Sequence, residues 1–220
     1  MSIRKGRDES LKRQREVFET AARLICKRGY DGTGIQEIAD ACGMTKAGLY
    51  HHIGSKENLH SSIMEYGMDL FDKEVLAPAQ ALENPLEALK TCMALNIKLV
   101  TRGANKEITI ILHEHATLHG QAGKHINARK KKYVRFLEQS FEKAVSQKLI
   151  RPVNATIAAY GFLGMVLWTY KWFQPEGELT ETQLAEGMVD LLFTGLAPTG
   201  ASLPAGFSGL ARGSTRKERP

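Results

Sequence analysis

Between Thr33 and Lys56 the chain reads TGIQEIADACGMTKAGLYHHIGSK. Thr45, Lys46, Tyr50 and His51 stand within seven residues of one another, with Gly48 among them. Hydroxyl, ammonium and imidazole groups at this density suit hydrogen bonds to base edges in a major groove and to phosphate oxygens. A glycine in their midst lets a backbone come close. On a helix opening at Lys46 these residues take the outer faces, and Leu49 points inward. The same pattern also fits a helical hairpin with an ordinary solvated face.

Two further clusters carry charge or ligand chemistry. Arg129, Lys130, Lys131, Lys132 and Arg135 form the densest basic run. It reads either as a solvated helix face or as an anion clamp, for instance for the phosphates of a coenzyme A ester. His113, Glu114, His115 and His119 place two imidazoles at i, i+4. Their order is not HExxH and no Cys or Asp stands nearby to complete a set, so polar surface or pocket lining is expected and no metal. Nothing in the chain matches a Gly-rich phosphate loop, a GxSxG elbow or an acid pair, so no catalytic residue is expected.

These groups need helices to hold them. Leu11, Val17, Phe18, Ala21, Leu24 and Ile25 recur at three- and four-residue spacing, predicting a helix over 10–28 that Gly29 ends. Ile35, Ile38 and Ala39 line one face of a short helix, with Thr33 as N-cap and Gln36 returning a bond in a capping box. Gly43 supplies the turn, and Thr45 caps the second helix. Two short helices about a Gly turn form a helix-turn-helix, the arrangement that enters DNA. Ser55 caps a long helix over 56–76, with Pro78 beyond its end. Lys56, in the first turn, opposes the helix dipole; a DNA phosphate would reverse that penalty, so Lys56 reads as a phosphate anchor.

Further helices are expected over 84–101, 106–118, 125–148, 154–174 and 180–195. Their signals are caps at Asn84, Asn154 and Thr180 and breaks at Gly103, at Gly120 and Gly123, and at Pro175 and Gly177. No strand and no repeat is apparent, so the fold class is all-α. Residues 1–55 read as a DNA-binding unit and 56–195 as a helical unit. The Gly-, Pro-, Ser- and Arg-rich stretch 196–220 reads as a disordered tail, and 1–9 as a flexible basic arm.

The stretch Thr45 to Leu59, TKAGLYHHIGSKENL, resembles the signature of the TetR family of transcriptional repressors. So does the approach through Ala21–Ile25, Arg28–Tyr30 and Thr33–Ile35. The likeness is close over residues 10–65 and is one of helical layout from 66 to 195. Ile53 stands where such repressors often carry Phe, and keeps the apolar role. The resemblance implies an N-terminal three-helix DNA-binding domain followed by a ligand-binding and dimerisation domain. It implies groove contacts from Thr45, Lys46, Gly48, Tyr50 and His51, and phosphate contacts from Thr33, His52 and Lys56 on a double-stranded operator.

In such repressors the last two large helices pair with their copies. Gly161, Gly164 and Met165 on one helix, and Met188, Leu191 and Leu192 on the other, are therefore the expected homodimer seam. The words Trp168 to Gly177 and Leu179–Thr180 are similar to the acyl-CoA- and lipid-responsive branch. That likeness, taken together with the basic run read as an anion clamp, makes Trp168, Lys171, Trp172, Arg129 and Lys130 the expected effector contacts, with an apolar molecule or an acyl-CoA as effector.

Composition agrees with a DNA-facing module beside a neutral one. Residues 1–60 hold eleven Lys/Arg against eight Asp/Glu, while 61–195 hold fifteen of each, within a chain of net charge +6. The three cysteines, Cys26, Cys42 and Cys92, have no CxxC spacing and read as buried thiols of a cytoplasmic protein. MSIRKGRDES lacks the apolar core of a signal peptide. The most apolar run, 157–173, is interrupted by Lys171 and is too short for the ~20 residues a bilayer needs. An all-helical protein-binding adaptor would share the layout; salt-sensitive retention on heparin or duplex DNA separates it from the regulator.

Overall fold

A computed structural model describes residues 2–101 and 120–195. Among these every regular element is a helix: α1 Ser2–Arg28, α2 Ile35–Ala41, α3 Lys46–Ile53, α4 Lys56–Phe71, a π-helical segment Asp72–Leu76, α5 Ala77–Gln80 and α6 Pro85–Thr101. After the undescribed 102–119 come α7 Gly120–Ser146, α8 Ala155–Trp172 and α9 Glu181–Phe193. The helix expected over 106–118, the His113–His119 cluster and the tail 196–220 lie outside the described residues.

Local chemistry explains most of the boundaries. Gly29, Gly43 and Gly54 take positive φ where α1 ends, where α2 turns into α3 and where α3 ends. Thr45 Oγ1 accepts from Gly48 N at 3.0 Å, and Ser55 Oγ from Asn58 N at 3.0 Å. Asn154 caps α8, and Thr180 with Gln183 forms a full capping box on α9.

Several expectations are corrected. The first residues are not a loose arm, since α1 begins at Ser2. Thr33 does not cap α2. Gly34 is the N-cap, Thr33 Oγ1 donates back to Gly29 O at 2.8 Å, and Gln36 bonds Asp40 rather than the cap. Gly123 lies inside α7 rather than at a break. Pro78 does not follow the end of the long helix but lies in α5, directly continuous with it. Proline lacks an N–H and its ring crowds the carbonyl four residues back; the wider π turn just before it accommodates both. Of the thiols only Cys92 is buried, while Cys26 and Cys42 are half-buried.

The core runs unbroken from end to end. In the N-terminal bundle Phe18, Ile25, Ile38 and Leu49 are buried against Leu59 and Ile63 of α4. The same cluster continues through Phe71, Leu89, Met93, Leu137 and Phe162. Each large side chain fully buried here is worth about 1.5–3 kcal/mol. Helix α6 packs on α7, α8 and α9, α7 also packs on α8, and α4 contacts both α1 and α7. One helix thus touches both halves. No helix of the described residues is long and apolar enough to cross a membrane.

Candidate nucleic-acid interface and effector domain

Helix α3 is held by its inner side alone. Leu49 is fully buried, whereas Thr45, Lys46, Tyr50, His51 and His52 are exposed and Gly48 is half-buried. A Cβ at Gly48 would stand 3.0 Å from the capping Thr45 hydroxyl, so a bare backbone suits this position. The His51 and His52 rings meet edge-on at 5.9 Å. Residues of α1 reach this unit too, since Arg13 Nη2 donates to Cys42 O at 2.7 Å and ties α1 to the turn before α3. Sequence spacing does not reveal that contact. The result is a rigid mount with a polar outer face, able to enter a groove and bond bases and phosphates.

Two of the residues expected at phosphates are otherwise engaged. Thr33 is fully buried, its hydroxyl spent on Gly29 O, so it presents no side-chain donor outward. Lys56 Nζ donates to Tyr30 O at 2.6 Å and lies 4.4 Å from the Tyr30 ring centroid. It pins α4 to the loop after α1. The exposed Glu57 also occupies this helix start: hydrogen bonds from its own backbone N–H and from Ser55 lower its pKa. Lys56 is therefore a joint of the fold before it is an anion anchor.

The expected effector residues do not converge. Arg129 turns towards α4, where Nη1 donates to Glu65 Oε2 at 3.1 Å and Nη2 to Asp69 Oδ1 at 2.8 Å and Asp72 Oδ2 at 2.7 Å. Burial disfavours the Arg129 charge, but the bonds to Asp72 and Asp69 outweigh it and raise the pKa. With three carboxylates on it, Arg129 is no anion clamp. Lys130 is half-buried, and burial lowers its pKa. Trp168, Lys171 and Trp172 lie on an exposed face of α8, the two indoles 64% and 46% exposed.

That face also carries Ile157, Tyr160, Gly161 and Gly164, a stripe at helical spacing. Met165 on the same helix is half-buried; on α9 Met188 and Leu192 are half-buried and Leu191 is 41% exposed. The two tryptophans thus share a face with Gly161 and Gly164 of the expected dimer residues. A cleft of about 470 Å³ lies elsewhere, between α6 and α9, with Ala94, Leu95, Ala185 and Val189 in its wall and Lys90 and Lys98 beside them.

One polar group inside the helical domain is not singled out by the sequence. Asn96 is fully buried, and its Nδ2 donates to Tyr133 Oη at 3.0 Å. Cys92 Sγ lies 3.5 Å from the same phenol oxygen. Burial pushes the Cys92 thiol up to about 12 and raises the Tyr133 phenol well above its ordinary value, so both stay neutral. The i, i+4 spacing of Cys92 and Asn96 on α6 is visible in the sequence; their shared partner is not.

A helix-turn-helix unit carried by α4, which packs on α1 and on α7 alike, is the architecture of a DNA-binding transcriptional regulator. Residues 17–63 match the bacterial regulatory proteins of the tetR family, and residues 82–196 the tetracyclin repressor-like C-terminal domain. The chain belongs to the TetR family, whose members are transcriptional regulators and not enzymes. It is 62% identical to AibR in a crystal structure with isovaleryl coenzyme A and operator DNA, over 82% of this chain and 98% of that one, with a TM-score of 0.77. The TetR-family regulator PfmR of Thermus thermophilus is 27% identical over 83% of this chain and 99% of its own, with a TM-score of 0.74. The repressor KstR2 of Rhodococcus jostii is 28% identical over 84% of this chain and 91% of its own.

Proposed function

We propose that this chain is a homodimeric repressor whose operator is released by a short-chain acyl-CoA of the isovaleryl-CoA type. The observation that carries the reading is the 62% identity to AibR, which binds both isovaleryl-CoA and operator DNA. Residues 1–55 act as the DNA-binding domain and 56–195 as the effector and dimerisation domain. Thr45, Lys46, Gly48, Tyr50 and His51 meet the groove, with His52 at a phosphate. Lys56 supports them from the start of α4, and the exposed stripe of α8 with Leu191 of α9 meets a second copy. The site of action is the cytoplasm.

Release requires that the effector bind the DNA-incompetent arrangement more tightly than the competent one. Helix α4, which packs on α1 and on α7, is the element able to carry that difference.

The test begins with duplexes selected from a random pool by the purified protein. The selected duplex is then challenged with isovaleryl-CoA, free isovalerate and CoA. Release by the ester at concentrations where acid and CoA leave the complex intact is the expected result. Failure to select any duplex contradicts the DNA assignment, and indifference to all three compounds contradicts the effector class.

A further inference from the structure

We infer that Asn96, held by Tyr133 and Cys92, is the group that recognises the thioester carbonyl of the effector; the inference rests on the acyl-CoA reading above. The observation is an orphan. Asn96 has no exposed surface, its Nδ2 is used by Tyr133 Oη, and its Oδ1 is buried without a hydrogen-bond partner among the described residues. An amide half-satisfied in an apolar interior is costly, and a bound ligand that completes its hydrogen bonding would offset that cost.

The position fits that use. Asn96 lies on α6 and Tyr133 on α7, and Tyr133 also meets Phe71, the last residue of α4, edge-on at 4.5 Å. The trio therefore stands where the effector domain touches the helix that leads to the DNA. Tyr133 Oη both donates and accepts, so turning the amide by 180° keeps the bond between the two residues. Cys92 S–H then donates to Tyr133 Oη, Tyr133 O–H to Asn96 Oδ1, and Asn96 Nδ2 is free to donate to a carbonyl oxygen.

The chemistry also selects. All three groups are neutral, because burial keeps the Cys92 thiol and the Tyr133 phenol protonated. A carboxylate brought here would lose its hydration and gain no counter-charge, since Arg129, one turn before Tyr133, is already bound by three carboxylates. A thioester carbonyl carries no charge and needs one donor. Preference for ester over acid thus follows from a neutral donor and not from the basic run of α7.

The experiment titrates operator release with isovaleryl-CoA and with its S-isopentyl thioether analogue, which keeps the chain and the CoA but lacks the carbonyl. The parent protein should respond to the thioester at least about tenfold below the thioether concentration, the effect of about one buried hydrogen bond. In Asn96→Leu the thioester should fall to the thioether's potency while the thioether itself is little changed. Tyr133→Phe, which frees the amide without removing it, should shrink the thioester advantage several-fold, and it serves if Asn96→Leu does not fold. Equal potency of the two compounds on the parent protein overturns the inference and leaves the acyl-CoA reading intact. An undiminished thioester advantage in the folded variants overturns it equally. Failure of both compounds on the parent protein overturns the acyl-CoA reading, and the inference with it.

Discussion

Arg129 Nη2 donates to Asp72 Oδ2 at 2.7 Å, joining α7 to the first residue of the π segment that follows α4. The same guanidinium holds Glu65 and Asp69, so the C-terminal half of α4 is fixed from α7 by one side chain that is only 16% exposed. The N-terminus of α4 is fixed by Lys56 to the loop after α1. The helix is therefore pinned at one end to each half of the molecule.

Arg129→Ala should lower stability by about 1–2 kcal/mol, between the values for surface and buried pairs, because the carboxylates are partly solvated. Arg129→Lys keeps the charge but not the fork, and should fall between the two. Thermal melts measure this. The alanine variant should also bind effector while releasing operator poorly, as expected of a transmitting joint. A variant as stable and as responsive as the parent would remove α4 from the signal path.

Lys46→Ala should cost about 1–3 kcal/mol of operator affinity and relax preference at one base pair per half-site. The melting temperature should not move, because the Lys46 side chain is exposed. Lys56→Ala should weaken all duplexes alike and lower the melting temperature as well, since it breaks the contact with Tyr30. Binding isotherms on the operator and on scrambled duplex, beside melts of both variants, separate the two roles. An Lys56→Ala protein of parental stability would restore it as a plain phosphate anchor.

An added Cβ at Gly164 meets nothing within 4 Å among the described residues of the single chain. Gly164→Leu should therefore leave the subunit folded, its helix favoured by about 0.5–1 kcal/mol, and damage only the contact with a second copy. Light scattering should give a mass near 24.4 kDa instead of twice that. A dimer of unaltered concentration dependence would mean that the α8 stripe is not the seam.

Cys92 adds a pH dependence. Its pKa rises from 9.0 in the unfolded chain to about 12 in the fold. Above pH 9 the unfolded state sheds this proton first, so the unfolded state binds fewer protons and stability declines as pH rises towards about 12. Cys92→Val should flatten that part of the alkaline limb. Melts of both proteins at about pH 8 to 10.5, spanning the onset of that decline, test it. Parallel curves would mean that the thiol is not held in the dry core.

Capping residues are legible because a cap is decided within four residues: Thr45, Ser55, Asn154 and Thr180 all sit where the spacing puts them. Leu49 inward and the polar face outward follow from helical periodicity alone. Thr33 misleads because two caps compete, and its hydroxyl finds the Gly29 carbonyl behind it. Arg129 misleads more deeply. A basic run reads as an anion site when its partners, here about sixty residues earlier on α4, are out of sight. The tryptophans of α8 could equally be core or seam, since periodicity shows which residues share a face but not what covers it.

The most direct measurement of the central claim is isovaleryl-CoA affinity for the free protein and for the protein saturated with operator. Coupling between two sites is reciprocal, so the factor by which effector weakens DNA binding must equal the factor by which DNA weakens effector binding. A weaker affinity on the operator complex, by the same factor as the loss of DNA affinity, is the predicted result. Identical affinities for free and operator-bound protein would contradict an effector-released repressor.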